Sequence, residues 1–185
     1  MDALIKKYLK IENFLNESER KLLSTACKVF LRSNKAGWDY QDGAQPFLYG
    51  DHLFDALMSE KIKLMQEKTG LTLFPTYSFM KIYTKYSYLK KHIDRPACEY
   101  SVTVFIDSCN TCPWPIYIDG SPIYLNPGDG LVYKGCEFEH WREEYLGDWH
   151  AQCFLHYVNA NGPHRDHILD KRKTLGEQKP QIRTN

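Results

Sequence analysis

The first seventy residues carry apolar side chains at the spacing of amphipathic helices. Asn16 followed by Glu19 has the pattern of a capping box, and a helix-spaced apolar series follows it. That series consists of Leu22, Leu23, Ala26, Val29 and Phe30. Asp51 is the candidate cap of a second helix, which the pattern ends at Gly70. Its apolar residues are Leu53, Leu57, Ile62, Leu64 and Met65.

From residue 71 the pattern becomes typical of β-strands. Short segments rich in β-branched and aromatic residues are separated by turn signals such as Asp119-Gly120. The predicted strands cover residues 77–84, 100–107, 115–118, 122–125, 130–133 and 149–158. Regularly spaced short strands favour a sandwich or jelly roll. We therefore predict a mainly β (α+β) fold with the N-terminal helices packed on a β core.

The size of the chain is that of one domain. With 185 residues, 43% of them hydrophobic, the chain can bury a proper core. We predict one domain over residues 1–170, with helical support over 1–70 and the β core over 71–158. Residues 171–185 are polar and are predicted to form a C-terminal tail. Residues 34–50 and 108–115 are predicted loops, and long connections are often functional.

Charge and cysteine usage exclude several classes of partner and location. The net charge is +1 with the basic residues scattered, so neither nucleic acid nor a membrane surface is predicted as a partner. No apolar stretch approaches the ~18 residues of a membrane span, and charge interrupts the N-terminus before a secretory signal can form. Cys109 and Cys112 form a C-x-x-C pair without the second pair that a structural zinc site needs. These features predict a cytoplasmic protein with reduced thiols.

The triplet His92-Ile93-Asp94 is the main candidate for chemistry. If it is extended, His92 and Asp94 lie on one face of the strand, because side chains alternate between faces. His140, 48 residues beyond His92, could add a second imidazole from a distant strand. Two histidines and one carboxylate form the facial triad of non-haem Fe(II) oxygenases. Taken singly, each of the three could also be an ordinary surface or turn residue.

The order of motifs around this triplet resembles that of the Fe(II)/2-oxoglutarate-dependent dioxygenases, specifically the prolyl-4-hydroxylase-like branch. The resemblance runs from about residue 71 to 158 and rests on a few motifs in fixed order. These are Lys81-Ile82-Tyr83, Leu89 to Arg95, Asn126 to Gly130, and Glu139-His140-Trp141-Arg142. It implies a double-stranded β-helix (jelly-roll) domain with His92, Asp94 and His140 as ligands of Fe(II).

The resemblance also implies the reaction and its partners. Dioxygen and 2-oxoglutarate would be consumed, a C–H bond hydroxylated, and succinate and CO2 released, with ascorbate as a candidate reductant. A peptidyl proline, another amino-acid residue or a small molecule is the expected substrate. The cofactor would carry the difficult chemistry, while the protein orients the reactants.

One position departs from the family pattern. Where the branch places a Lys or Arg to bind the far carboxylate of 2-oxoglutarate, this chain has His150. Tyr83 matches a family position whose hydroxyl bonds the co-substrate. Arg142 shares the predicted face of His140, and Gln152 shares that of His150. We therefore rank the candidates for 2-oxoglutarate binding as Tyr83, His150, Arg142 and Gln152.

Two other functions stay open at this point. A non-catalytic jelly-roll binding module would use the polar strand faces to hold a ligand without metal. A cupin-like metalloenzyme would use the triad without 2-oxoglutarate. The unusual residue at position 150 supports the binding module.

Overall fold

The computed structural model describes residues 5–33, 37–39, 45–109 and 112–177, with backbone only for residues 37–39. Three α-helices and eleven β-strands make up most of the described chain. The helices are α1 (Glu17–Arg32), α2 (His52–Glu60) and α3 (Ile62–Thr69). The strands are β1 (Tyr8–Ile11), β2 (Gly37–Asp39), β3 (Gln45–Tyr49), β4 (Leu73–Thr84), β5 (Leu89–His92), β6 (Tyr100–Ser108), β7 (Ile116–Ile118), β8 (Ser121–Ile123), β9 (Gly130–Tyr133), β10 (His140–Arg142) and β11 (Trp149–Asn159). Two 3₁₀ segments, Pro96–Cys98 and Arg165–Lys171, complete the secondary structure.

Both predicted helical regions are confirmed, with one break. Asn16 and Glu19 make the two reciprocal hydrogen bonds of a capping box at the start of α1. The Asp51 side chain accepts a hydrogen bond from the Leu53 N–H, and Gly70 ends α3 in the left-handed conformation. The predicted second helix is divided at Lys61 into α2 and α3.

The strands form two antiparallel sheets that face each other as a double-stranded β-helix. The larger sheet has the order β1-β9-β6-β11-β4-β3-β2, and the smaller has the order β5-β10-β7-β8. The long strands β4 and β11 pair through most of their length. The predicted jelly-roll fold is confirmed. All six predicted strands are present, five of them with shifted ends and β9 with the predicted ends.

The helices cover one face of the larger sheet, and the other face lines the interior between the sheets. Met80, Ile82, Cys153 and Leu155 point toward the helices and join their apolar residues in one core. Residues alternating with them on β4 and β11 point toward the smaller sheet. The functional site lies on this interior face.

Three sequence predictions about the ends of the fold are corrected. The prediction that residues 1–70 are helical is wrong for β1, which pairs with β9, and for β2 and β3, which extend the larger sheet. Residues 171–177 do not form a free tail, because Arg172 is buried in an ion pair with Asp55. Strands β5 and β10 were not predicted, since they are short and largely polar. Among the described residues, no helix is long and apolar enough to cross a bilayer.

Candidate metal centre

Two short strands of the smaller sheet bring the predicted histidines together. His92 ends β5 and pairs in register with His140, the first residue of β10. The centroids of the two imidazole rings are 4.3 Å apart. Asp94 lies just beyond β5, where its backbone N–H donates to the carbonyl of Gly135 at 2.9 Å. The antiparallel register therefore places residues 48 apart in the sequence side by side.

The side-chain atoms of the three residues converge on one point. Oδ1 of Asp94 lies 3.4 Å from Nε2 of His92 and 3.5 Å from Nε2 of His140. All three potential ligand atoms lie within 4.8 Å of one another. Such an N, N, O set on one side of a point fits a ferrous ion with open coordination positions.

The backbone orients both imidazole rings. Nδ1 of His92 lies 2.6 Å from the carbonyl oxygen of Lys90, and Nδ1 of His140 lies 3.0 Å from that of Phe138. A carbonyl oxygen only accepts, so each Nδ1 carries the proton and donates. Nε2 of each ring is then directed at Asp94, and it is the atom through which each histidine would bind a metal ion.

Asp94 is held in a confined position. Burial alone would raise its pKa, but the neighbouring His140 and His92 rings hold the pKa of this carboxyl well below its usual range. A Cβ atom at Gly135 would collide with Oδ2 of Asp94 and would lie 2.6 Å from the carbonyl oxygen of Cys98. Glycine at position 135 therefore leaves room for a carboxylate that is ionised and ready to bind a cation.

The triad opens into a cavity of about 570 Å³, which is within the range of small-molecule sites. Tyr83 lines this cavity, as do the buried Lys81 and the aromatic rings of Tyr77, Phe79 and Phe154. Lys81 was not singled out by sequence reasoning. The signal was available, because Lys81 alternates with Phe79 and Tyr83 on one face of β4.

The other three candidates for 2-oxoglutarate binding line a neighbouring cavity of about 250 Å³. His150 is bonded through Nε2 to Oε1 of Gln152 at 2.7 Å. The amide nitrogen of Gln152 donates to Thr103 at 2.6 Å. Burial, followed by the charge of Arg142, lowers the pKa of His150 to about 3, so this imidazole is neutral at pH 7.

Arg142 lines the smaller cavity and lies near two tyrosines of the triad cavity. Its guanidinium donates to the carbonyl oxygen of Trp114 at 2.6 Å and stacks over the Trp114 ring. Its Nε is buried without a hydrogen-bond partner, and no carboxylate in the described part of the chain pairs with it. Burial lowers the pKa of Arg142 to about 10, and the nearby hydroxyls of Tyr83 and Tyr133 partly oppose this lowering. Both tyrosines line the triad cavity. Arg142 is therefore a buried cation at neutral pH.

A second cluster next to the triad fits a ferrous ion less well, because it would replace an imidazole by a soft thiol ligand. Asp94, Cys98 and His156 are also close enough together for one ion. Burial raises the pKa of the Cys98 thiol well above its usual range, so the thiol stays protonated beside the Tyr77 hydroxyl. His156 is bonded through Nδ1 to Ser101 at 2.8 Å. The triad of His92, Asp94 and His140 is the better donor set.

The fold is shared with solved oxygenases. No family model matches the chain, and no curated protein matches it in sequence. A prolyl-4-hydroxylase from Pseudomonas putida superposes with a TM-score of 0.68 at 12% identity, over 83% of this chain and 92% of that one. The non-haem alpha-ketoglutarate-dependent epimerase SnoN from nogalamycin biosynthesis gives 0.71 at 12% identity, over 93% and 87%. A 2OG-Fe(II) oxygenase family protein from Burkholderia pseudomallei gives 0.61 at 13% identity, over 86% and 87%.

The agreement covers most of each chain. The chain therefore has the fold of the 2-oxoglutarate- and Fe(II)-dependent oxygenases, prolyl-4-hydroxylases included.

Proposed function

We propose that this protein is a Fe(II)- and 2-oxoglutarate-dependent dioxygenase that hydroxylates a C–H bond. The observation that carries this proposal is the convergence of His92, Asp94 and His140 at the mouth of a cavity in this fold. When bound, iron and 2-oxoglutarate supply the activation of dioxygen, with release of succinate and CO2. The protein supplies the positions of the reactants.

Each described residue of the site has a role in this proposal. His92, Asp94 and His140 hold the metal, and the carbonyls of Lys90 and Phe138 fix the two imidazole rings. The Tyr83 hydroxyl donates a hydrogen bond to a 2-oxoglutarate carboxylate in the cavity.

We assign the far carboxylate of 2-oxoglutarate to Arg142. It shares a strand and a face with His140, and two residues along a strand span about 6.6 Å, which is on the scale of a five-carbon dicarboxylate. Arg142 is a buried cation with an unpartnered N–H, which is costly until an anion arrives. His150 is neutral and bonded to Gln152, so these two residues support the wall of the smaller cavity.

The proposed substrate is a peptidyl proline, another amino-acid residue or a small molecule. The prolyl-4-hydroxylase supports the first of these, whereas the epimerase on the same fold belongs to nogalamycin biosynthesis. We propose that the loops predicted at residues 34–50 and 108–115 face the substrate, but residues 34–36, 40–44 and 110–111 lie outside the described residues. The described wall of aromatic rings and Lys81 fits a substrate with an apolar or planar part.

The test is turnover of 2-oxoglutarate by protein purified without oxygen and loaded with Fe(II). Succinate should form only when iron, 2-oxoglutarate and oxygen are all present, with ascorbate added to keep the iron reduced. His92→Ala and Asp94→Ala should abolish succinate formation while circular dichroism stays unchanged, because each removes a metal ligand. His167→Ala is the matched control, since His167 lies outside the site and should leave turnover intact.

The outcomes separate the alternatives. Succinate formation by either triad variant at the wild-type rate would contradict the assigned ligands. Triad-dependent metal binding without binding of 2-oxoglutarate would favour a cupin-like enzyme. A wild-type protein that binds no metal would favour a binding module.

A further inference from the structure

Three consecutive residues near the C-terminus have left-handed backbone conformations. Leu169, Asp170 and Lys171 have φ angles of 54°, 49° and 61°, and none of them is glycine. L-residues rarely adopt this conformation in succession, because Cβ approaches the following carbonyl. Such segments persist only where their surroundings fix them, and they cluster at functional sites. The contacts of Asp170 show what fixes this run.

Asp170 is bonded by two side chains from other parts of the fold. Its carboxylate, buried with 3% exposure, accepts hydrogen bonds from both terminal nitrogens of Arg95 at 2.7 and 2.9 Å. The Tyr49 hydroxyl donates to the same carboxylate. Burial and the negative charge of Asp170 keep the pKa of Tyr49 well above its usual value, so the hydroxyl retains its proton. The Arg95 contact is bidentate, the geometry that best fixes an orientation.

Both partners of Asp170 pack on one residue of the metal cavity. The Arg95 guanidinium lies 4.5 Å from the centroid of the Tyr77 ring, and the Tyr49 ring stacks on it at 4.9 Å. Tyr77 lines the cavity with the triad. Asp170 therefore fixes Arg95 and Tyr49, the two side chains that hold the Tyr77 ring in place in the cavity wall.

Arg95 also follows Asp94 directly in the chain. The backbone carbonyl of Arg95 accepts hydrogen bonds from the N–H of Cys98 at 2.9 Å and from the Cys136 thiol at 3.2 Å. These two bonds hold the peptide, while the Arg95 side chain is half exposed and depends on Asp170 for its direction. The residue next to Asp94 is thus tied through its side chain to the C-terminal segment of the described chain.

We infer that Asp170 is a positioning residue for the metal site. The left-handed run, residues 169–171, presents the carboxylate of Asp170 to Arg95 and Tyr49. Through these two residues it sets the positions of Asp94 and of the Tyr77 ring that lines the cavity. This inference rests on the proposed function, because it assigns a consequence to the metal-binding role of Asp94. Release of this contact should loosen the site without unfolding the protein.

The test measures binding of Co(II) to the whole chain in place of iron, by the visible d–d absorption that reports ligand geometry. Asp170→Asn keeps the shape of the side chain but replaces one acceptor oxygen by an NH2 group facing Arg95. It should weaken Co(II) binding about tenfold, the lower end of the effect of groups that support metal ligands, and change the shape of the absorption. Arg95→Gln and Tyr49→Phe should have the same direction of effect. In the double variant, Arg95→Gln should weaken Co(II) binding little further than Asp170→Asn alone, because both substitutions break the same Arg95–Asp170 contact.

The matched control is Lys61→Met. Lys61 forms a partly buried ion pair with Glu19 at 2.7 Å, where α1 packs near the junction of α2 and α3, away from the triad and from Asp170. This change should lower the melting temperature while Co(II) binding measured in the cold stays within about threefold of wild type.

Each outcome shows whether Asp170 positions the metal site or only stabilises the fold. Equal weakening of Co(II) binding by Lys61→Met and Asp170→Asn would show general destabilisation and overturn the inference. Wild-type Co(II) affinity in Asp170→Asn and Arg95→Gln would also overturn it. If Asp170→Asn fails to fold, Arg95→Gln and Tyr49→Phe decide alone. Wild-type protein that binds Co(II) without needing His92 and Asp94 would refute the proposed function instead.

Discussion

His140 and His150 are both buried histidines that point into the interior, yet their partners give them different chemistry. Nδ1 of His140 donates to a backbone carbonyl, which leaves Nε2 directed at Asp94. His150 lies among Phe105, Trp114 and Tyr145, with its Nε2 bonded to Gln152. The sequence predicts a polar role for both, but only the surroundings separate a ligand from a wall residue.

The low pKa of His150 predicts a specific pH dependence of stability. In the unfolded chain its pKa is ~6.5, whereas burial and Arg142 lower it to about 3 in the folded protein. As the pH falls below ~6.5, the unfolded state binds a proton that the folded state does not. Stability is therefore lost toward acid through this window, by up to about 1.4 kcal/mol per pH unit.

The variant His150→Gln removes this proton linkage. Its free energy of unfolding, measured by urea denaturation, should fall less steeply than that of wild type between about pH 6.5 and 4.5. His167→Ala, a histidine outside the cavities, should retain the wild-type slope. A His150→Gln slope equal to that of wild type would show that His150 is protonated in the folded protein as readily as in the unfolded chain.

At the scale of elements, the strands that were predicted and those that were missed differ in length and burial. Strand β11 has eleven residues whose side chains point alternately toward the helices and toward the interior, so its period-2 pattern could be recognised in the sequence. The predicted polar face of this strand does line the two cavities. Strands β5 and β10 have four and three residues, too few for a period-2 pattern to stand out. Their positions depend on pairing with each other and with β7.

Strand placement also decides which cation can reach 2-oxoglutarate. The described interior has Arg142 on β10 and Lys81 on β4, while β11 offers only the neutral His150 at the expected position. Arg142→Gln should weaken 2-oxoglutarate binding to the metal-loaded protein by about 30-fold or more, since truncating one partner of a buried charge pair costs about 2–5 kcal/mol. Calorimetry without oxygen measures this affinity.

A ligand without the far carboxylate provides the control for this prediction. Binding of 2-oxopentanoate, which has the same chain length, should change little in Arg142→Gln. Lys81→Gln is the matched charge deletion and should affect the two ligands equally. A selective loss of 2-oxoglutarate binding in Lys81→Gln but not in Arg142→Gln would move the carboxylate site to Lys81.

At the scale of the whole molecule, the C-terminal segment closes the structure over the helices and β4. Arg172 forms an ion pair with Asp55 at 2.7 Å, both side chains being almost fully buried. Asp55 also accepts from the backbone N–H groups of Ser78 and Gly176. The guanidinium of Arg172 donates in addition to the Thr76 carbonyl. This network joins α2, β4 and residues 172–176.

Removal of one member of this pair should be costly. Arg172→Met leaves the Asp55 carboxylate buried without its cation, and breaking such a pair costs about 3–5 kcal/mol. Chemical denaturation should show this loss in the free energy of unfolding. Lys21→Met removes the exposed pair with Glu17 and should leave the free energy of unfolding almost unchanged. A similarly small effect of Arg172→Met would mean that the buried pair contributes little.

The sequence by itself determined the features that local patterns encode. The capping box at Asn16, the alternation along β4 and β11, and the order of His92, Asp94 and His140 are all legible without coordinates. The tertiary structure decided the rest, because it depends on burial and on contacts between residues far apart in the chain. Only the β5–β10 register brings the two histidines together, only burial makes His150 neutral, and only the folded C-terminal segment places Asp170 against Arg95.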